Sequence, residues 1–323
     1  MERLGNTKQV VVAQSTSQMC RTGCCQVRAK SSSCASTGRG RWAHTFSSPN
    51  GLLNNSRSSN LLPLFRHSQP SINWLVREAD NFHGGNPHHD YPNVAWIHEE
   101  STWFQRCGSG CMPGCRRVKY VHHSSNIPEA VADAEDFQWC TCQCDELPKG
   151  LSEEDRTKDV IATHEKTQTC GACCCFVPFL ETKDADGNLI GKTVYVCDGC
   201  IFVPKYDIYD GAGAKKYRLR PDTCIGGCCI MPRCGGGGGK CCRVPYIVRD
   251  PETFEPMSGN GGTDKAQVTN LWSGFKNECC TQRNAYHLVF PDDATQQEKL
   301  TLMGSSILVD VMLYEQRKQD NDS

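Results

Sequence analysis

The sequence predicts a mainly β chain whose short strands form an antiparallel barrel or sandwich, with one C-terminal helix buried nearly all round. Three observations carry this. From about residue 100 onward, short runs rich in Val, Ile and Tyr recur with partial alternation. Strong turn sequences separate them, among them Asp184-Ala185-Asp186-Gly187-Asn188, Asp210-Gly211-Ala212-Gly213 and the five glycines 235–239. Finally, residues 293–318 hold no Pro and a single Gly, Gly304, and their apolar positions cover most of a helix. Many short strands at close spacing favour a barrel or sandwich over a parallel sheet. A closed barrel with a hydrophobic helix through its middle satisfies every one of these patterns.

In chain order the expected strands are 117–122, 160–164, 176–181, 192–196, 206–209, 216–219, 244–248, 267–271 and 286–290. The segment 184–188 invites a calcium-loop reading, but its Gly falls at the fourth position and Tyr195 at the twelfth offers no carboxylate. A hairpin turn explains it better.

The helix has a start signal. Thr295 is the expected N-cap, with Glu298 three residues on completing a capping box. Leu300, Met303, Ile307, Leu308, Val311 and Met312 are the principal apolar positions of a helix that either fills the barrel or enters a bilayer. Leu300–Tyr314 is interrupted by Gly304, Ser305, Ser306 and Asp310 and falls short of the roughly 18 apolar residues of a spanning helix. Burying the Asp310 carboxylate in lipid costs about 2.5–3.5 kcal/mol on insertion scales, whereas a barrel interior can offer it hydrogen bonds. The filled barrel is therefore the preferred arrangement.

Composition divides the chain. Residues 1–70 carry nine Lys/Arg and one acid and are rich in Ser and Asn. Such a segment cannot bury enough surface to fold alone, so residues 1–95 are expected to be a disordered basic tail, with 1–70 open to reading as a transit peptide. Residues 96–318 form the expected barrel. Within it, 123–158 reads as an acidic insertion, since 129–165 holds eleven acids and three bases. The apolar run Val10-Val11-Val12-Ala13 is too short for a secretory signal, so neither an oxidising compartment nor disulfides are expected.

Cysteine is the strongest compositional signal, with 24 residues of 323, mostly clustered. Disulfides, metal thiolates and acylated thiols are the available chemistries. Cys170 and Cys173 followed by Cys197 and Cys200 make two knuckles slightly wider apart than a usual zinc ribbon, and four thiolates would hold zinc tetrahedrally. Cys224, Cys228, Cys234 and Cys241 are a second zinc candidate, with the glycine run letting the loop close. The pairs His88-His89 and His122-His123 are expected to be solvated or hydrogen-bonded.

The C-terminal run Trp272-Ser273-Gly274, then Phe290-Pro291-x-Asp293, then Met303-Gly304-Ser305-Ser306-Ile307-Leu308-Val309-Asp310-Val311-Met312-Leu313-Tyr314-Glu315 resembles the ending of phospholipid scramblases. Upstream, Cys170–Cys175 followed by a strand and Ile190-Gly191, and Glu99-Glu100-Ser101 with Cys107-Gly108 and Arg116–Tyr120, match the same family in order. The resemblance spans about 96–316. It implies a tubby-like barrel of about twelve strands around a central C-terminal helix. It also implies energy-independent, bidirectional movement of phospholipids between leaflets, transport without catalytic chemistry, at a phospholipid membrane. The implied location is membrane-associated on a cytoplasmic face, the plasma membrane before the mitochondrion.

The resemblance also assigns sites. Cys173, Cys174 and Cys175 align with the family's acylated (palmitate) cluster, with a buried cysteine acting as a small hydrophobe as the alternative. Its calcium segment maps onto Gln282–Asp293, which offers Gln282, Asn284, Asp292 and Asp293 as weak ligands, and His287 stands where a calcium loop has Gly. The family's basic nuclear-entry segment corresponds to 264–270, which has one lysine, so no nucleic-acid partner is expected. A non-transporting lipid-binding or adaptor barrel and a zinc-stabilised interaction module remain alternatives.

Overall fold

The computed structural model describes residues 5–15, 72–80, 91–102, 105, 116–132, 147–148, 150–169, 177–197, 203–223, 230, 243–271 and 284–314. In chain order they form β1 (Gln9–Gln14), β2 (Trp74–Glu78), β3 (Asn93–Glu100), β4 (Val118–His123), α1 (Glu153–Thr157), β5 (Val160–Lys166), β6 (Phe179–Asp184), β7 (Leu189–Tyr195), β8 (Tyr206–Asp210), β9 (Lys215–Pro221) and β10 (Pro245–Arg249). Then come a two-residue hairpin, β11 (Ser258–Gly259) and β12 (Asp264–Lys265), β13 (Gln267–Leu271), β14 (Ala285–Val289) and α2 (Gln296–Val309). A π-helical turn, Asp310–Tyr314, ends the helix.

Twelve of these strands close one antiparallel barrel. Each strand from β2 to β10 pairs with its successor, β10 pairs with β13, β13 with β14, and β1 closes the ring between β14 and β2. Hairpin chemistry sets the simplest connections. At β6–β7, Asp184 Oδ1 accepts from the backbone N–H of Asp186 and Asn188, and Gly187 sits at φ 86° where a side chain would be strained. Asp210 repeats the device at β8–β9, accepting from Ala212 and Ala214.

The walls differ around the ring. In β9, Tyr217, Leu219 and Pro221 are buried while the residues between them face outward, the period-two pattern of a half-wet sheet. In β1 and β14 every residue is buried, and in β2 three of the five are. There Val10 and Val12 join the main core, while Val11 and Ala13 pack outside it with Ala79, Leu271 and Ala285.

That double burial corrects the expected domain boundary. β1, β2 and the start of β3 lie within 1–95, yet they are barrel strands. Averaged composition hid them, because Val10–Ala13 is a continuous apolar run of the length that a strand buried on both faces requires. Two further boundaries shift. β6 begins at Phe179 rather than 176, and β4 keeps His123, so the β4–β5 connection is 124–159. The connection contains α1, whose Ser152 N-cap accepts from the Asp155 N–H.

α2 runs through the ring. It starts with the capping box of Thr295 and Glu298, and Lys299 through Met312 are buried. Ser305 Oγ lies 2.7 Å from Thr193 Oγ1 on β7, and Asp310 accepts from Gln14 on β1 at 3.0 Å. β1 and β7 stand six places apart in a ring of twelve, so the helix is held from opposite walls. Two glycines permit this approach. A Cβ on Gly191 of β7 would overlap the Thr301 hydroxyl, and one on Gly304 would come within 2.7 Å of His164 Nδ1.

Candidate functional site

Strand direction gives the barrel two unlike ends. At one end lie the tight turns 185–188 and 211–214, the 124–159 connection and the start of α2. At the other end the strands are joined by 15–73, 101–117, 167–178, 196–205, 222–244 and 272–284. Those six connections carry 21 of the 24 cysteines. The segment with Cys170 and Cys173 and the segment with Cys197 and Cys200 thus leave from the same end, from neighbouring strands. Cys197 is half-buried and packed against the core. Cys170, Cys173, Cys174, Cys175 and Cys200 lie outside the described residues, as do Cys224, Cys228, Cys234 and Cys241. Among the described residues no cluster of three metal-ligating side chains occurs.

The helix meets this cysteine-bearing end at Asp310. Leu300, Met303, Ile307, Leu308, Val311 and Met312 are all at most 4% exposed, inside the barrel. An acid at a helix C-terminus opposes the helix dipole, and burial adds a desolvation cost. Three donors offset both. Gln14 Nε2 and Tyr286 OH donate to the Asp310 carboxylate at 3.0 and 2.9 Å, and Asn284 Nδ2 is a third donor. Among the described residues no helix is long and apolar enough to cross a membrane.

A second buried acid sits at the same end. Glu99, on β3, is fully buried against the Arg116 guanidinium at 2.5 Å, and accepts from Ser101 Oγ and the Ile72 N–H. Burial pushes its carboxyl up, but Arg116 and these donors outweigh it and hold the group below the usual range. Lys166 Nζ caps the cluster by donating to the Arg116 carbonyl at 2.9 Å.

Five histidines are buried among the described residues, contrary to the solvated half of the expectation for His122 and His123. These two neighbours on β4 point to opposite faces, as strand geometry demands. Inside the barrel, His164 Nδ1 lies 3.1 Å from Thr182 Oγ1 and its Nε2 3.4 Å from His122 Nδ1. Burial lowers both pKa values, that of His164 to about 4. On the outer face, Trp96, His98 and His123 stack, with 4.5 Å between the Trp96 and His123 rings.

The outer pair forms a directed chain. His123 Nδ1 is 2.7 Å from the Lys158 carbonyl, so it carries a proton there; its Nε2 then accepts from His98 Nδ1–H at 3.0 Å. This leaves His98 Nε2 unprotonated, 3.4 Å from Glu100 Oε1. A proton added to the pair would enter that gap and create an ion pair. Burial nonetheless dominates, lowering His98 and bringing His123 to about 4. The sequence signal for β3, the run Val94-Ala95-Trp96-Ile97-His98, was present but straddled the boundary drawn between tail and barrel at residue 95.

The calcium-segment residues are not brought together. Asn284 is buried and spends its side chain on Asp310, whereas Asp292 and Asp293 are exposed beyond the other end of β14. Asp292 Oδ1 accepts from the Gly261 N–H at 2.6 Å. His287 is buried 2.8 Å from Gln9 Oε1, and Gln282 lies outside the described residues.

Known proteins point to one family. The family model described as Scramblase matches residues 239–316. Phospholipid scramblase 2 of Homo sapiens is 25% identical over 190 residues, 57% of this chain and 56% of that protein. Phospholipid scramblase 1 of Homo sapiens is 25% identical over 187 residues, 56% of this chain and 52% of that protein. The Rattus norvegicus scramblase 1 is 24% identical over 185 residues, covering 56% and 49%. The chain spans about half the length of the curated relatives it matches. No solved structure matches it. The matched residues 239–316 include β10, β13, β14 and α2, and by this model and these relatives the chain is similar to the phospholipid scramblase family, as its C-terminal motif implies.

Proposed function

We propose that this protein handles phospholipids at a membrane surface as a scramblase-type barrel, moving them between leaflets without an energy source and without catalytic chemistry. The observation that carries this reading is the gathering of 21 of 24 cysteines into the connections at one barrel end. Acylation of Cys173, Cys174 and Cys175 there would orient that end toward the bilayer. Each buried CH2 of an acyl chain contributes roughly 0.8 kcal/mol, and two chains give stable anchoring. The membrane face would be cytoplasmic, where glutathione keeps thiols available.

A scramblase must lower the cost of drawing a polar headgroup through hydrocarbon, several kcal/mol for each unsatisfied group. The central helix does not serve as a membrane span in this reading, because Asp310 and Ser305 hold it to opposite walls. Calcium enters only through the exposed pair Asp292 and Asp293, detached from Asn284.

The filled interior favours one second reading, a barrel that binds lipid headgroups at the surface and transports nothing. Liposomes labelled with a dye-bearing lipid in both leaflets separate the two. Scrambling exposes the inner-leaflet dye to an impermeant quencher. Protection of that dye, with and without calcium, rejects transport and leaves the binding barrel.

A further inference from the structure

The outer wall of β8, β9 and β10 carries a cleft that the barrel's packing does not need. It measures 380 Å³ and is lined by Lys205, Arg218, Arg220, Pro221, Asp222, Thr223, Arg249 and Phe254. Four cations and one carboxylate line it. Arg218 is satisfied by a bidentate pair with Asp207 at 2.7 and 2.9 Å. Arg249 reaches Asp222 at 3.3 Å and the Phe254 carbonyl at 3.0 Å, but its Nε is buried with no acceptor. Arg220 makes no ion pair among the described residues. Arg220 therefore adds a cation beyond the Arg218 and Arg249 ion pairs, and Arg249 Nε is a donor left without a partner. That arrangement suits a phosphate group, whose oxygens match guanidinium donors.

The residue beside this charge selects the source of the phosphate. Phe254 is 48% exposed, one of two large apolar side chains so exposed among the described residues. Its backbone sits at φ 58°, a left-handed conformation costly for an aromatic residue. The turn holds it there, because Asp250 Oδ1 accepts from the N–H of Glu252 and Thr253, and the Phe254 N–H donates to the Asp250 carbonyl. The ring lies 5.0 Å from the Arg218 guanidinium, at the mouth of the cleft. A free phosphate has no use for an exposed aromatic ring. A lipid surface does, because the ring enters the interface while the guanidinium groups meet the headgroup phosphates.

We infer that this cleft binds the phosphate of an anionic phospholipid headgroup, with Arg220 and Arg249 facing the charge and Phe254 entering the interface. Lys205, Asp222 and Thr223 belong to the connections of the cysteine-bearing end. Phe254 belongs to the 250–266 connection of the opposite end, so the cleft runs along the side wall between the two ends. The inference rests on the membrane reading above but not on transport.

Co-sedimentation of the full, unacylated chain with vesicles of phosphatidylcholine and phosphatidylserine, against phosphatidylcholine alone, tests it. Binding is expected only to the anionic vesicles. Arg220→Gln should weaken it about fivefold, the worth of one basic residue at such a surface. Phe254→Gly should weaken it about tenfold while leaving the melting temperature equal or higher, because Gly adopts φ 58° freely. Unchanged binding in both variants overturns the inference, and so does competition by inorganic phosphate that is indifferent to Phe254→Gly. If these residues bind vesicles but the wild type moves no labelled lipid, transport falls and the cleft stands. If lipid moves and both variants bind normally, the cleft falls and transport stands.

Discussion

Gln14 donates to the Asp310 carboxylate at 3.0 Å across 296 residues of chain. This contact ties the first barrel strand to the end of the central helix. The Gln14 Oε1 in turn accepts from the Asn284 N–H at 3.1 Å, and Asn284 Nδ2 donates to Asp310. The barrel is closed and plugged by one polar network.

Asp310→Ala removes the acceptor for three buried donors, so it should cost on the order of 3 kcal/mol or more of stability. Gln14→Ala should cost about 1–2 kcal/mol. Urea unfolding of both single variants and the double variant checks the link. Direct contact predicts that the double variant loses less than the sum, and strict additivity would refute it.

Gly→Ala inside a helix ordinarily stabilises by about 1 kcal/mol. Gly304→Ala should do the opposite and destabilise by about 1–3 kcal/mol, because the new Cβ meets His164 and Thr182. Gly191→Ala should behave alike, and Thr301→Ala should restore part of its loss by removing the hydroxyl it strikes. Thermal melts of the four proteins are the measurement.

Acid should weaken the fold before its carboxylates titrate. Burial holds the folded pKa values of His122, His123 and His164 below the usual 6.5 of histidine, at about 4 for His123 and His164. The unfolded chain then binds more protons than the folded one between those limits, so stability is full above pH 6.5 and falls as pH drops toward 4. His164 alone contributes on the order of 3 kcal/mol to that loss. Glu99, also depressed, extends the loss below its unfolded value of 4.5. Stability measured from pH 7.5 to 4 should show this slope, and His164→Gln should flatten it; a level profile in the wild type contradicts the neutral-histidine interior.

Mass spectrometry of protein from a eukaryotic cell should find thioester-linked acyl groups on at least two of Cys173, Cys174 and Cys175. Stoichiometric zinc in protein purified without chelator, with those thiols unmodified, would instead assign Cys170, Cys173, Cys197 and Cys200 to a metal site. Zinc and acylation compete only for Cys173, so an acyl group found on Cys173 excludes the four-thiolate site.

Much of the wall was legible from residue order. The turns at Asp184 and Asp210, the strands from β4 onward and the Thr295–Glu298 capping box all depend on contacts within a few residues, which local sequence encodes. The preference for a helix inside the barrel also followed from one residue, Asp310, whose charge needs donors that lipid lacks. The candidate site was less legible. Asn284 and Asp292 are near in sequence, but β14 separates them and Asp310 claims the former.

What the sequence by itself determined is thus the barrel strands from β4 onward, their turns and the need to bury one largely apolar helix, because periodicity and capping are local properties. Only the tertiary structure decided that Val10–Ala13 closes the ring, that six cysteine-bearing connections share one end, and that His98 stacks on His123. These depend on which strands pair and in which register, and pairing joins residues such as Val12 and Tyr286 that no local pattern connects.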